Sequence, residues 1–336
     1  MTKIAVIQPY LLLGEVDVNL KRVEALIRDA NREHAPEIIV VPEAFTSPNV
    51  YSPLLRTTPQ PIDGRPFQLM RNLARELDVV LAGGFLSIRG KHTYGTYLLA
   101  EPNGAVHLHD KDIPTAWEQN FYIGGKDNGV VECQTLGCKV GLMSGWEWAR
   151  MGTAARVRNE KVQLVLGGMC WWSMPLNWFG PLGRLLREEH ALYREQQRQL
   201  PGQVARLTGV PVAHAAHVGK IQCNTPLLPV VNWQTEMIGE SQICDSSGKI
   251  LVRLGYDDGE GHVAADVSVG IPKPIDPIRD QYWIFKITPL SQMGWLATNL
   301  HGTVSYRLRH RLGRFPWQSL ESHDLPNFID PEHGCL

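Results

Sequence analysis

Apolar and polar positions along this chain alternate between two periods. Residues 3–8 form a short apolar run, read as a strand. Over residues 17–34, Leu20, Val23, Leu26, Ile27 and Ala30 recur at helical spacing with charges on the opposite face. Residues 37–41 are a continuous, mostly β-branched run, as expected of a strand covered on both faces. Phe67, Met70, Leu73, Ala74 and Leu77 mark a second helix, followed by a strand over residues 79–85. Strands over 94–100 and 105–109 flank Glu101-Pro102-Asn103-Gly104, a hairpin turn. Further strands are predicted over 140–144 and 162–167, with a helix over 152–159 between them. A longer helix opens near Arg184, and Pro201 is expected to divide it. Strands over 211–216, 241–244, 250–254 and 262–266 complete the pattern. Helices and strands in alternation, with antiparallel hairpins mixed in, predict a layered α/β architecture. From Gly270 onward the pattern fades. Pro272, Pro274 and Pro277 lead into a segment from Trp283 to Trp317 with basic Arg307-Leu308-Arg309-His310-Arg311, read as a tail draped over the body or a partner subunit.

Four segments carry candidate chemistry. Ile38-Ile39-Val40-Val41-Pro42-Glu43 is a buried strand ending in an acid. His109-Asp110-Lys111-Asp112-Ile113-Pro114 is a loop centred on a lysine. Trp117-Glu118-Gln119-Asn120-Phe121 places a second acid beside aromatics. Lys139-Val140-Gly141-Leu142-Met143-Ser144-Gly145-Trp146-Glu147 is a strand running into a tight turn. Taken singly, Glu43 is an acid where a strand meets water, and Lys111 and Glu118 are solvated surface charges. Together, in this order, they resemble the nitrilase superfamily of carbon–nitrogen hydrolases over roughly residues 3–267.

The resemblance implies a four-layer α-β-β-α sandwich. It assigns residues 1–268 to the hydrolase domain and 269–336 to a C-terminal extension. It also implies a covalent mechanism in which Glu43 is the base and Lys111 the stabilising cation. Glu118 would orient Lys111 and the attacking water, and the nucleophile would stand at position 145. Gly141, Trp146 and Glu147 fall in register with the family's nucleophile turn, but position 145 is glycine, which has nothing to attack with. Ser144 is one position early, so its side chain is expected on the opposite face of the strand. Cys170, in Gly168-Met169-Cys170-Trp171, reads as a small buried thiol. The chain as written is therefore expected to be nearly inert. A lone glycine in otherwise intact machinery favours deliberate removal of the cysteine over natural loss, with a ligand-binding pseudoenzyme as the alternative. Tyr94-Gly95-Thr96 and Arg150-Met151-Gly152-Thr153 depart from the common family pattern and leave the substrate subclass open.

The aromatic side chains narrow the substrate. Six of ten tryptophans (117, 146, 148, 171, 172 and 178) fall in segments expected around the site. Trp117, Trp146, Glu147, Trp171 and Trp172 are the expected substrate contacts, and an apolar or aromatic acyl amide or nitrile is the expected substrate. Arg150, Arg156 and Arg158 could hold a carboxylate, although a solvated helix face is their default.

A formal net charge of -1 argues against nucleic-acid or membrane partners. Six cysteines without metal-site spacing fit a reduced cytoplasmic protein. No segment approaches the ~20 apolar residues of a membrane span. No cofactor or metal is expected. The resemblance implies homodimers or higher homo-oligomers, clasped by a tail that includes Tyr282-Trp283-Ile284-Phe285, Trp295 and Leu296, too apolar to stay exposed; the alternative is a tail folded back on its own subunit.

Overall fold

Strand residues that alternate between two apolar faces need a layer on each side, and this requirement organises the molecule. In the computed structural model, which describes residues 1–314, β1 (Thr2–Gln8) sends Ile4 and Val6 to one side and Ala5 and Ile7 to the other, all fully buried. The strands that follow are β2 (Ile38–Val40), β3 (Gln60–Pro61), β4 (Val80–Arg89), β5 (His92–Ala100), β6 (Val106–Asp110), β7 (Val130–Cys133) and β8 (Cys138–Ser144). Then come β9 (Leu164–Met169), β10 (Val212–Ala216), β11 (Val218–Thr225), β12 (Leu228–Ile238), β13 (Ser241–Cys244), β14 (Ile250–Leu254) and β15 (Gly261–Val267). The helices are α1 (Val16–His34), α2 (Arg65–Leu77), α3 (Met151–Asn159), α4 (Gly180–Thr208) and α5 (Pro289–Arg311).

One sheet has the order β15-β1-β2-β4-β5-β6, with β3 beside β4. The second runs β14-β13-β10-β9-β8-β7. Between them lies a core of Ile4, Val6, Val40 and Leu99 from the first sheet and Val140, Leu142, Leu166 and Ala213 from the second. The first sheet's outer face packs under α1 and α2 through Ile39, Leu81, Val23, Ile27, Met70 and Leu73. Met143, Val165 and Val212 on the second sheet's outer face join Val157 of α3 and Leu200 and Val204 of α4. The result is an α-β-β-α sandwich, as expected. β1-β2-β4 and β8-β9-β10 are parallel triplets at the two sheet centres, so their C-terminal ends deliver Glu43 and Gly145 toward one place.

Three features differ from the sequence reading. Pro201 does not divide α4, which runs unbroken through it. A proline costs a helix one backbone hydrogen bond, about 3 kcal/mol. Here Leu200, Val204, Ala205 and Leu207 are buried on both sides of it, so packing holds the helix together. A long hairpin, β11–β12, was not foreseen. The fading C-terminal pattern hides the 23-residue α5. The segment before it packs on its own chain, with Met151 N–H donating to Tyr282 O (2.9 Å) and Ile284 N–H to Ala149 O (2.8 Å). Trp317, the far end of the predicted tail, lies outside the described residues, as does Cys335.

Candidate active site

Glu43 sits two residues beyond Val41, past Pro42, just after β2. The next residue, Ala44, has a left-handed φ of 54°, a conformation disfavoured without glycine and common at functional sites. This bend turns the Glu43 carboxylate inward, where it is only 5% exposed. Oε1 accepts from the Cys170 backbone N–H (3.0 Å), and Oε2 from Lys111 Nζ (3.4 Å) and the Ser144 hydroxyl (3.3 Å). His217 Nε2 bonds the Glu43 carbonyl (2.6 Å) and fixes the bend from behind.

Lys111 follows β6 and is fully buried. Its ammonium is held by both Glu118 oxygens (2.9 and 2.7 Å) and more loosely by Glu43. Glu118 in turn accepts from Asn49 Nδ2 (2.8 Å), a site residue the sequence did not reveal. Two carboxylates thus share one buried ammonium. Burial opposes the charge on Lys111, but Glu118 and Glu43 outweigh it and raise its pKa. Burial pushes the Glu43 carboxyl up, only partly offset by Lys111, with Glu118 adding to the rise. The tight bidentate partner helps keep the lysine charged, while Glu43, more loosely paired and raised by burial, is suited to accept a proton.

Gly145 closes the constellation. It opens a 3-10 turn at the end of β8, with φ of 57°. A Cβ placed there would lie 2.5 Å from Lys111 Nζ and in collision with both Glu43 oxygens. Gly145 therefore marks the point on which the Glu43 carboxylate and the Lys111 ammonium converge. Ser144 lies closer than expected: it was placed on the opposite face, yet its hydroxyl reaches Glu43, because the strand ends at this residue and the turn begins. Cys170 is buried, its Sγ accepts from Asn49 N–H (3.0 Å), and burial followed by the Glu43 charge pushes its pKa well above the ordinary thiol value. A thiol so held is a poor source of thiolate.

A second charged cluster lies directly beneath the turn. His109 Nε2 bonds Glu147 Oε2 (2.8 Å), and its Nδ1 bonds Asp127. Glu147 also accepts from Ser144 N–H (2.9 Å), Asp112 N–H (3.1 Å) and Arg156 (3.3 Å), while Arg150 and Arg156 both pair with Asp112. Burial disfavours charge on His109, but Glu147 and Asp127 raise its pKa to about 10. Glu147 is itself held well below the usual carboxylate range, against its burial, by His109 and the two arginines. Two expectations change here. Glu147 does not reach out to a substrate, because both its oxygens are occupied inside the protein. Arg150 and Arg156 grip the protein's own carboxylates, and Arg158 bonds the backbone carbonyls of Leu207 and Asp276.

Beside the charged centre lies a cavity of about 290 Å³. Trp117, Trp146 and Trp172 line it, with Trp178 and Trp233; Glu43, Lys111 and Gly145 do not. Trp146 and Trp117 are chain neighbours of Gly145 and Glu118, so the aromatic wall adjoins the charged centre. Trp171, also an expected substrate contact, is not part of the cavity lining; it is 1% exposed and packs against Trp146, Tyr193 and Phe285. Among the described residues, the grouping suited to a metal is Glu33, His34 and His262, at the end of α1 and on β15, where the two imidazoles bond each other (2.9 Å).

A family model, Carbon-nitrogen hydrolase, matches residues 3–270. The chain belongs to the carbon–nitrogen hydrolase family. Among solved structures, this carbon–nitrogen hydrolase is similar to one from Helicobacter pylori G27, with a TM-score of 0.64 at 18% identity over 80% of this chain and 89% of that one. An amidase from Nesterenkonia sp. AN1 gives 0.59 at 17% identity, over 82% and 95% of the two chains. A nitrilase-superfamily member from Saccharomyces cerevisiae gives 0.57 at 19%, over 79% and 89%. At such identities the likeness concerns the fold. No curated protein matches the sequence. No helix among the described residues is long and apolar enough to cross a membrane.

Proposed function

We propose that this site is built for covalent hydrolysis of a non-peptide C–N bond, in an amide or nitrile carrying an apolar or aromatic acyl group. The chain as written lacks the nucleophile for it. The reading rests on one observation: Lys111 Nζ lies between Glu118 and Glu43, and the Cα of Gly145 stands where a reacting side chain would meet both. With a thiol at 145, Glu43 takes its proton, the thiolate attacks the carbonyl or nitrile carbon, and Lys111 stabilises the charge on the oxygen or nitrogen. Glu118 holds Lys111 in place. For an amide, the tetrahedral adduct expels the amine, which leaves with the proton from Glu43, and a thioester remains. For a nitrile, the thioimidate first adds water and loses ammonia to reach the same thioester. Water deprotonated by Glu43 then attacks the thioester, releasing the carboxylic acid and restoring the thiol.

A second reading has its own support. Glu43 and Lys111 have closed over the space a cysteine side chain would need, as suits a protein that binds an amide-like ligand without turnover. One experiment separates the two. Gly145→Cys protein is incubated with a panel of apolar amides and nitriles, and intact mass is measured. A covalent acyl adduct, abolished by adding Glu43→Gln, supports the hydrolase. No adduct with any panel member, despite an intact fold, supports the binding protein. Activity in the Gly145 chain that vanished on changing Cys170 or Ser144 would overturn both.

We place the protein in the cytoplasm as a homodimer or larger homo-oligomer. Leu296, Leu300, Val304 and Leu308 are all more than half exposed and recur every fourth residue along α5, an apolar stripe of the kind that partners cover. Light scattering that found a monomer would remove this proposal.

A further inference from the structure

The cavity wall is not drawn from the family region alone. Trp283, Ile287, Leu290, Gly294, Trp295 and Thr298 line it, and all lie beyond residue 270, where the family match ends. Resting on the function proposed above, we propose that the segment 283–298 is the specificity-determining wall of the site. It sets how large an apolar acyl group the cavity accepts.

Three observations carry this. First, the segment is fixed to the body next to the nucleophile turn: residues 282 and 284 bond residues 151 and 149, and Trp283 and Phe285 pack on Trp146. The distance from wall to Gly145 is therefore set by direct contact. Second, the cavity has room for a phenyl ring with a short linker, and its lining is mostly aromatic and aliphatic, with the hydroxyl side chains of Thr115, Thr225, Ser291 and Thr298 among it. The indole N–H groups of Trp117 and Trp295, both on lining residues, are buried with no partner among the described residues. A buried donor without an acceptor is costly, and a ligand oxygen would supply one. Third, the wall has room for a side chain at Gly294. Gly294 is an exposed position on the cavity's edge, and a Cβ added there meets nothing within 4 Å, so the position accepts a side chain that would extend the wall. In a helix interior, replacing glycine also favours folding.

The test uses the Gly145 chain itself, so no turnover is needed. Binding of 3-phenylpropionamide, propionamide and 3-phenylpropan-1-ol is followed by calorimetry in the parent, in Gly294→Leu and in Leu290→Phe, a second filling variant should the first fold poorly. The parent is expected to prefer 3-phenylpropionamide to propionamide. Each filling variant should weaken the phenyl amide roughly tenfold or more and leave propionamide unchanged. If only the alcohol binds, and filling removes it, the wall stands and the amide reading of the function falls. If neither phenyl probe binds, or both bind the variants as tightly as the parent, the wall proposal is overturned, whatever adduct the Gly145→Cys protein gives.

Discussion

The molecule buries two charged clusters a few residues apart, and they are built to opposite rules. In the lower one, three carboxylates (Asp112, Asp127 and Glu147) face Arg150, Arg156 and the imidazolium of His109. Every charge has an opposite partner, and Glu147 is pinned in its ionised form. In the upper one, Glu43 and Glu118 compete for Lys111 alone, and burial leaves Glu43 with a raised pKa. A balanced cluster acts as a rivet, holding the turn at 144–147 against the loop at 109–112. An unbalanced cluster retains an appetite for a proton, which is what a general base requires. Each cluster has a fully buried charged group at its heart, Glu147 with His109 in one and Lys111 in the other, so stoichiometry, rather than the presence of ionisable groups, separates scaffold from chemistry.

This contrast can be broken most forcefully at Glu147. Glu147→Ala leaves His109 and the arginines facing Asp112 and Asp127 without their central anion, and removing one partner of a buried ion pair costs about 3–5 kcal/mol. Urea unfolding should show a loss of that size; a loss under about 1 kcal/mol would dissolve the rivet.

A subtler probe is pH. The folded pKa of His109, about 10, lies above its ordinary value of 6.5. Its contribution to stability is thus fully present below about pH 6.5 and lost as pH rises toward 10. Melting temperatures across that window should fall for the parent and fall less steeply for His109→Gln. Parallel curves for the two proteins would show that the imidazolium is not the linked group.

The smallest effect is expected in the upper cluster. Because burial raises the Glu43 pKa, so that its charge is held less firmly than that of Glu147, the near-isosteric Glu43→Gln should change stability by less than about 1 kcal/mol, even though it removes the proposed base. A loss as large as that of Glu147→Ala would mean Glu43 is structural after all.

The parts of this arrangement that are local in the chain were legible in the sequence. Glu43, Lys111, Glu118 and Gly145 each sit in a short stretch whose residue order betrays a strand end, a charged loop or a turn. Periodicity placed most strands and helices because burial on one or two faces leaves a direct imprint on neighbouring residues. The partners that finish the site come from elsewhere. Asn49 reaches Glu118 across 69 positions, and His109 meets Glu147 across 38; no local pattern marks such pairs. Ser144 was misjudged because strand alternation was carried one residue past its end. Pro201 was misjudged because its local cost is outweighed by contacts that only the folded chain makes. The α5 helix was missed because it carries apolar residues on several faces, which blurs the 3.6-residue signal.

The backbone at Gly145 has a thermodynamic direction written into it. Left-handed φ is disfavoured for any residue with a Cβ, at a cost on the order of 1–3 kcal/mol. Around it, Glu43 and Lys111 must also part to admit a side chain. Exchanging a side chain for glycine at this position is downhill in folding free energy, and the reverse is uphill. A glycine variant is thus a ratchet: once formed, it is rewarded by a tighter fold, and nothing short of selection for catalysis draws it back. The Gly145→Cys protein should accordingly melt below its parent even where it gains the power to form an acyl adduct.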